Sequence, residues 1–198
     1  MTKTINLGVL GIDHGHIFDM LDEMLKEGCS CNYFWTEGSP LTLGAFNKKY
    51  PQIKRVDNKS DILNDDTIDM ILISSIPKDR ANLSIAAMKA GKDVMVDKPG
   101  CTTLEQLNNL KQTVKDTGKI WSINFSERFH VAAVAKAEKL VAEGKIGKVK
   151  QTIGTGPHRQ GNYERPDWFY DRDSYGGIIT DIGSHQIHQF LVFTNSNE

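Results

Sequence analysis

The sequence predicts an α/β protein built on a parallel sheet, and three observations carry that expectation. Short runs rich in β-branched residues alternate, as far as Asn124, with segments whose apolar residues recur at helical spacing. Several of those helical segments stop at a glycine, the usual C-terminal signal. The alternation then breaks near Asn124, where a second part of different pattern begins. Strands alternating with helices imply right-handed crossovers, and these lay the strands parallel.

The elements follow in order. Ile5 to Leu10 reads as a strand ending at Gly11. Ile17, Met20, Leu21, Met24 and Leu25 share one helical face, and Gly28 stops that helix. Asn32 to Thr36 and Ile68 to Ser75 read as strands, Leu83 to Ala90 as a helix closed by Gly91, and Asp93 to Val96 as a further strand. Thr103-Leu104-Glu105-Gln106 matches a capping box that opens a helix running to Gly118. Ile120 to Asn124 closes the first part, which is expected to span residues 1–124. In the second part, 125–198, a helix is expected from Val131 to Glu143. Val149, Gln151 and Ile153 then alternate with Lys150 and Thr152, the period of a half-buried antiparallel strand. Gly156 to Asp173 reads as a long polar loop, a kind of segment often tied to function.

Composition excludes several classes. The 198 residues hold 24 basic and 25 acidic side chains, for a formal charge of −1. Nothing here resembles the basic stripe of a nucleic-acid binder. The apolar runs are far too short to cross a bilayer. Three cysteines, Cys29, Cys31 and Cys101, with no export signal ahead of them, fit a reducing cytoplasm rather than a disulfide framework.

Two motifs carry the chemistry. The first is the turn Gly11-Ile12-Asp13-His14-Gly15-His16, which leads from a strand into a helix. It suits a dinucleotide-binding unit whose helix N-terminus holds a pyrophosphate, but Asp13 and His16 stand where the fingerprint has its second and third glycines. Asp13 as a plain N-cap is the competing reading. His14 and His16, two apart in a turn, read as polar turn residues rather than metal ligands. Glu37, just past the second strand, is placed to accept hydrogen bonds from an adenosine ribose. The second motif pairs Asp97-Lys98-Pro99, at a strand's carboxyl end, with Gly176-Gly177 leading to Asp181 and His185. A lysine, a carboxylate and an imidazole suit proton and hydride transfer on a hydroxylated small molecule.

With this order of motifs the chain resembles the Gfo/Idh/MocA family. The likeness rests on Ala86 to Pro99, which looks like the family's lead into a Glu-Lys-Pro motif with Asp97 for the glutamate. It also rests on Trp168-Phe169-Tyr170-Asp171 with Tyr175 to His185, and on Glu143 to Val149. The resemblance implies a Rossmann domain binding NAD, with NADP the alternative, followed by a domain with an open, mostly antiparallel sheet. That sheet would form one wall of the substrate site and a homo-oligomer interface. The implied substrates are sugars, inositols and related polyols. Carried over residue by residue, Lys98, Asp181 and His185 are the catalytic set. Gly11, Asp13, His14, Gly15, His16, Glu37, Ser75, Pro77, Asp97, Lys98 and Pro99 form the cofactor set. Arg128, His158, Arg159, Trp168, Lys98, Asp181 and His185 form the substrate set. The Lys98–Pro99 bond is expected to be cis. No resident metal is expected.

The chain departs from the family at Asp13, at His16 and at His188, where an acidic residue is common. It also stops at Glu198, short of a usual member, so an incomplete second domain with exposed Ile187, Phe190, Leu191 and Phe193 is expected. The altered turn implies weak cofactor binding. Two other readings stay open: a non-catalytic sugar or nucleotide sensor, and a metal enzyme using Asp181, His185 and His188, with His158 as a further ligand.

Overall fold

The computed structural model describes residues 4–156 and 165–196. Fifteen labelled elements follow one another: β1 Asn6–Leu10, α1 His16–Lys26, β2 Ser30–Trp35, α2 Leu43–Lys49, β3 Lys54–Arg55, α3 Lys59–Leu63, β4 Met70–Ile73, α4 Pro77–Lys89, β5 Asp93–Asp97, α5 Leu104–Thr117, β6 Trp121–Asn124, α6 Ser126–His130, α7 Ala132–Ala142, α8 Arg172–Tyr175 and α9 Ser184–Thr194. A 3₁₀ turn, Asp167–Tyr170, precedes α8, and a π-helical turn, Ile179–Gly183, runs into α9. Two compact units result, Met1–Asn124 with Arg165–Gly176, and Phe125–Glu164 with Gly177–Glu198.

The first unit holds a six-stranded sheet in the order β3-β2-β1-β4-β5-β6, with every pairing parallel. This is the doubly wound Rossmann arrangement, whose strand order reverses between β1 and β4. Period-two alternation divides the sheet's side chains between two cores. Leu7, Val9 and Leu72 pack with Ile17, Leu21, Phe34 and Phe46 of α1, β2 and α2. Leu10, Ile71, Ile73, Val94 and Val96 pack with Ile62, Ala81, Ala87, Met88 and Leu110 of α3, α4 and α5. Gly8 lets α3 approach: a β-carbon there would lie 2.5 Å from Ile62 Cγ2.

Several boundaries differ from expectation for local reasons. Helix α4 begins at Pro77 rather than near Leu83, because proline suits the first helical turn and loses no hydrogen bond there. The Thr103 hydroxyl accepts from Gln106 N–H, as a capping box requires. The Gln106 side chain reaches one residue further back than expected, to Thr102 N–H. Three short elements, α2, β3 and α3, carry no clear periodicity; β3 has only two residues and both are exposed.

The second unit corrects the expected architecture. Its described residues contain α6, α7, the π turn and α9 but no strand, and the one sheet of the described residues is parallel throughout. The open antiparallel sheet, and with it a sheet-mediated interface, is absent there. Val149 to Ile153 is not a strand, and Ile153 is 85% exposed. An alternating run needs a partner ladder to become a strand, and the described residues offer it none. No helix among the described residues is long and apolar enough to cross a membrane.

Candidate functional site

The crevice where strand order reverses is lined by the turns after β1 and β4. Gly11 takes φ +78° at the end of β1, and a β-carbon on it would sit 2.4 Å from Ser75 Cβ. The two turns are tied by Ser74 N–H to Gly11 O (3.2 Å) and His14 N–H to Ser74 O (3.0 Å), while Gly11 N–H donates to Trp35 O at the end of β2 (2.7 Å). Gly15, not Asp13, is the N-cap residue of α1, and its φ of −64° is open to any residue. Asp13 instead lines a cavity of about 310 Å³ together with Gly11, Trp35, Glu37, Lys59 and Asp79. That volume lies at the lower end of small-molecule sites. Burial pushes the Asp13 carboxyl up to about 6, and the Asp79 and Glu37 charges add to the shift.

Of the expected cofactor residues, Glu37 and Ser75 line this cavity; Pro77 does not, being packed as the first residue of α4. Lys48 and Lys49 do not line it either. Lys49 pairs with Asp22. The lysine that does line the cavity is Lys59, whose Nζ lies 5.3 Å over the Trp35 ring.

At the end of β5, Asp97 is fully buried and holds three partners. His16 Nδ1 lies 2.7 Å from Oδ1, His14 Nδ1 lies 3.2 Å from Oδ2, and Arg80 Nη2 lies 3.0 Å from Oδ2. Burial drives this carboxyl upward, but Arg80 and the two imidazoles outweigh it and hold Asp97 well below the usual range. An ionised carboxylate only accepts, so in the contact with His16 it is the Nδ1–H that donates. Burial lowers His14. The imidazole of His14 also faces Trp168, with ring centroids 6.4 Å apart.

His14, His16 and Asp97 are, among the described residues, the one group of three whose donor atoms come close enough to hold a metal, within 4.8 Å. Arg80 argues against a dication there. Its guanidinium already neutralises Asp97, and a second cation beside it would be held in repulsion at low dielectric.

Arg80 is the residue the sequence reading missed. It is 1% exposed. Its Nε donates to Ser75 O (2.8 Å), and Nη1 to Asp97 O (3.1 Å), Lys98 O (2.5 Å) and Pro99 O (3.3 Å). One side chain thereby fixes the backbone of the Asp-Lys-Pro turn, whose Lys98–Pro99 bond is cis as expected. The buried face of α4 is Pro77, Arg80, Ala81, Leu83, Ser84, Ala87 and Met88, a face set by tertiary packing and not by a motif. An arginine on such a face needs buried acceptors. Lys98 is itself buried, at 5% exposure.

In the second unit, Asp181 lies in the π turn, a distortion frequent at functional sites. His185 is buried in the first turn of α9, its Nε2 3.9 Å from Glu127 Oε1 and its ring edge-on to Phe125. His188 stacks on Phe125 with centroids 4.3 Å apart, and burial and the Arg128 charge lower its pKa. Asp181, His185 and His188 do not form a close donor group, which removes support for the metal-enzyme reading. Arg128, an expected substrate contact, gives its guanidinium to Glu138 through Nε (2.9 Å) and Nη2 (2.5 Å). Arg165, in the first unit, lies 4.2 Å over the Phe169 ring. His158 and Arg159 lie outside the described residues.

Fold and crevice together define a Rossmann-type domain with its turns intact. Residues 40–125 match the oxidoreductase family with NAD-binding Rossmann fold of Gfo/Idh/MocA proteins, and residues 134–197 match the GFO/IDH/MocA C-terminal domain. The chain belongs to the Gfo/Idh/MocA family. It is 24% identical, over 95% of its length, to 51% of the NADP-dependent scyllo-inositol 2-dehydrogenase of Bacillus subtilis strain 168. It is 30% identical, over 63% of its length, to 33% of the D-xylose dehydrogenase of Paenarthrobacter nicotinovorans. A crystal structure from Erwinia carotovora atroseptica SCRI1043 superposes with TM-score 0.93 at 39% identity, covering 97% of this chain and 57% of that one. The chain therefore spans about half or less of the length of these relatives.

Proposed function

We propose that this chain is part of an NAD(P)-dependent oxidoreductase that moves a hydride between the nicotinamide and a hydroxyl carbon of a sugar, inositol or related polyol. The observation that carries the reading is the crevice of the first unit. Gly11 leaves room for backbone approach beside Ser75, and Glu37 lines the adjoining cavity where an adenosine ribose would lie. These residues fit a dinucleotide, and the named relatives act on inositols and sugars. Glu37 favours NAD, because its carboxylate accepts from a ribose 2′-hydroxyl and repels a 2′-phosphate.

When bound, the nicotinamide supplies the hydride acceptor or donor. Lys98 would hydrogen-bond the reacting oxygen and stabilise its developing charge. His185 would take the hydroxyl proton, with Glu127 stabilising the imidazolium. Asp181 would fix a neighbouring hydroxyl. The test is reduction of NAD or NADP across a polyol and sugar panel. Lys98→Ala is expected to lower turnover by about a hundredfold or more with the fold retained. Dinucleotide binding without turnover on any substrate would favour the sensor reading instead.

A further inference from the structure

The glycine turn poses a charge problem that side-chain placement resolves. Asp13, Glu37 and Asp79 line one cavity, and the diphosphate of a dinucleotide adds two negative charges beside it. Asp13 occupies the place where a glycine would leave backbone N–H groups bare for that diphosphate. Carboxylates sharing a site with further anions do not all stay ionised.

The charged groups facing Asp13 are Glu37 past β2, Asp79 and Arg80 on α4, and Lys59 at the start of α3, with His14 and His16 beside it in its own turn. None is a free counter-charge. Arg80 is bound to Asp97 and to backbone carbonyls. Lys59 sits over Trp35 and shares the cavity with two further carboxylates. Glu37 has to remain an acceptor to hold a ribose hydroxyl, and Asp79, whose carboxyl burial raises, lies in the first turn of α4, where the Lys78 and Lys59 charges and the helix dipole oppose that rise.

We propose that Asp13 binds the diphosphate as the neutral acid, its O–H donating to a phosphate oxygen, so that each dinucleotide bound takes up one proton from solvent. This rests on the dinucleotide reading above. No covalent bond changes; the carboxylate gains the proton and the phosphate stays anionic. Burial already brings Asp13 to about 6 without ligand, so the proton is available near neutrality and scarce above it. The substitution that departs from the glycine fingerprint thus becomes a pH-dependent donor rather than a defect.

Calorimetric titration of the 198-residue chain with NAD and with NADP, in phosphate and in Tris at pH 7, tests this. The wild type is expected to show a buffer-dependent enthalpy corresponding to roughly one proton taken up. Its Kd should weaken by about tenfold per pH unit between pH 7 and 8.5. Asp13→Asn, which keeps the shape and a donor, should bind with no proton uptake and a flat pH profile, at least about tenfold tighter than wild type at pH 8. Glu37→Gln should keep the uptake. Binding with no uptake in the wild type, or uptake that survives Asp13→Asn and vanishes in Glu37→Gln, overturns the proposal while leaving the dinucleotide reading intact. No binding of either dinucleotide by wild type or Asp13→Asn at pH 6 overturns both.

Discussion

The two units of this chain are built from similar kinds of residue and reach opposite states of burial. Every buried apolar side chain among the described residues lies between Leu7 and Leu110, all in the first unit. Among the described residues of the second unit the one buried side chain is His185, while Ile146, Ile153, Ile178, Ile179 and Ile187 are each more than half exposed. The difference is architectural. A parallel sheet has two faces, and helices on both sides give each strand residue a partner. Helices with no sheet beside them can cover only the stripe they turn toward one another, and the rest of an apolar face stays bare. The polar groups differ in the same way. Arg80–Asp97 is sealed in the first unit, whereas Arg128–Glu138 is half-buried in the second.

The largest effects should come from the first unit's core. Phe34→Ala removes a fully buried ring and is expected to cost about 3–5 kcal/mol in urea unfolding, against less than about 0.5 for Ile179→Ala, which is 74% exposed. Equal costs would abolish the contrast. Arg80→Met takes the guanidinium from Asp97 and from four backbone carbonyls and should cost about 3–5 kcal/mol, whereas Glu138→Gln should cost no more than about 1. A small effect at Arg80 would mean that water replaces its contacts.

Asp13→Asn sharpens the picture with pH. A carboxyl raised from 3.8 to about 6 on folding contributes stability that is full below the unfolded value and lost as pH rises through 6. The variant should match wild type near pH 3 and exceed it by up to about 3 kcal/mol at pH 8, in unfolding followed at both values. A difference that shrinks with rising pH would reverse the assignment. Smaller again is Thr103→Ala, which removes the N-cap of α5 and should lower stability by about 1 kcal/mol. No loss would show that Gln106 on Thr102 N–H suffices.

Much of the first unit was legible in residue order. Strands β1, β4 and β5 each contain a buried apolar run or alternation, and α1 and α5 carry their face and stop signals within one segment. Local pattern is enough there, because a strand or helix announces itself by its own period. The elements α2, β3 and α3 were missed because two to seven residues cannot establish a period. The run at Val149 misled for the opposite reason: it has the period of a strand, but pairing is decided by a neighbour that no local pattern supplies. Among site residues, Gly11, Glu37, Asp97 and Lys98 could be named from spacing and motif, since backbone turns and strand ends fix where such residues stand. Arg80 could not. Its partners are Ser75, Asp97, Lys98 and Pro99, and Asp13 meets Glu37 and Asp79 only across the cavity. The sequence by itself determined the strands, the turns and the motif that hold these groups. Which charges lie together, and therefore which of them is ionised, was decided by the tertiary structure, because electrostatic energy depends on distance in space and burial rather than on separation along the chain.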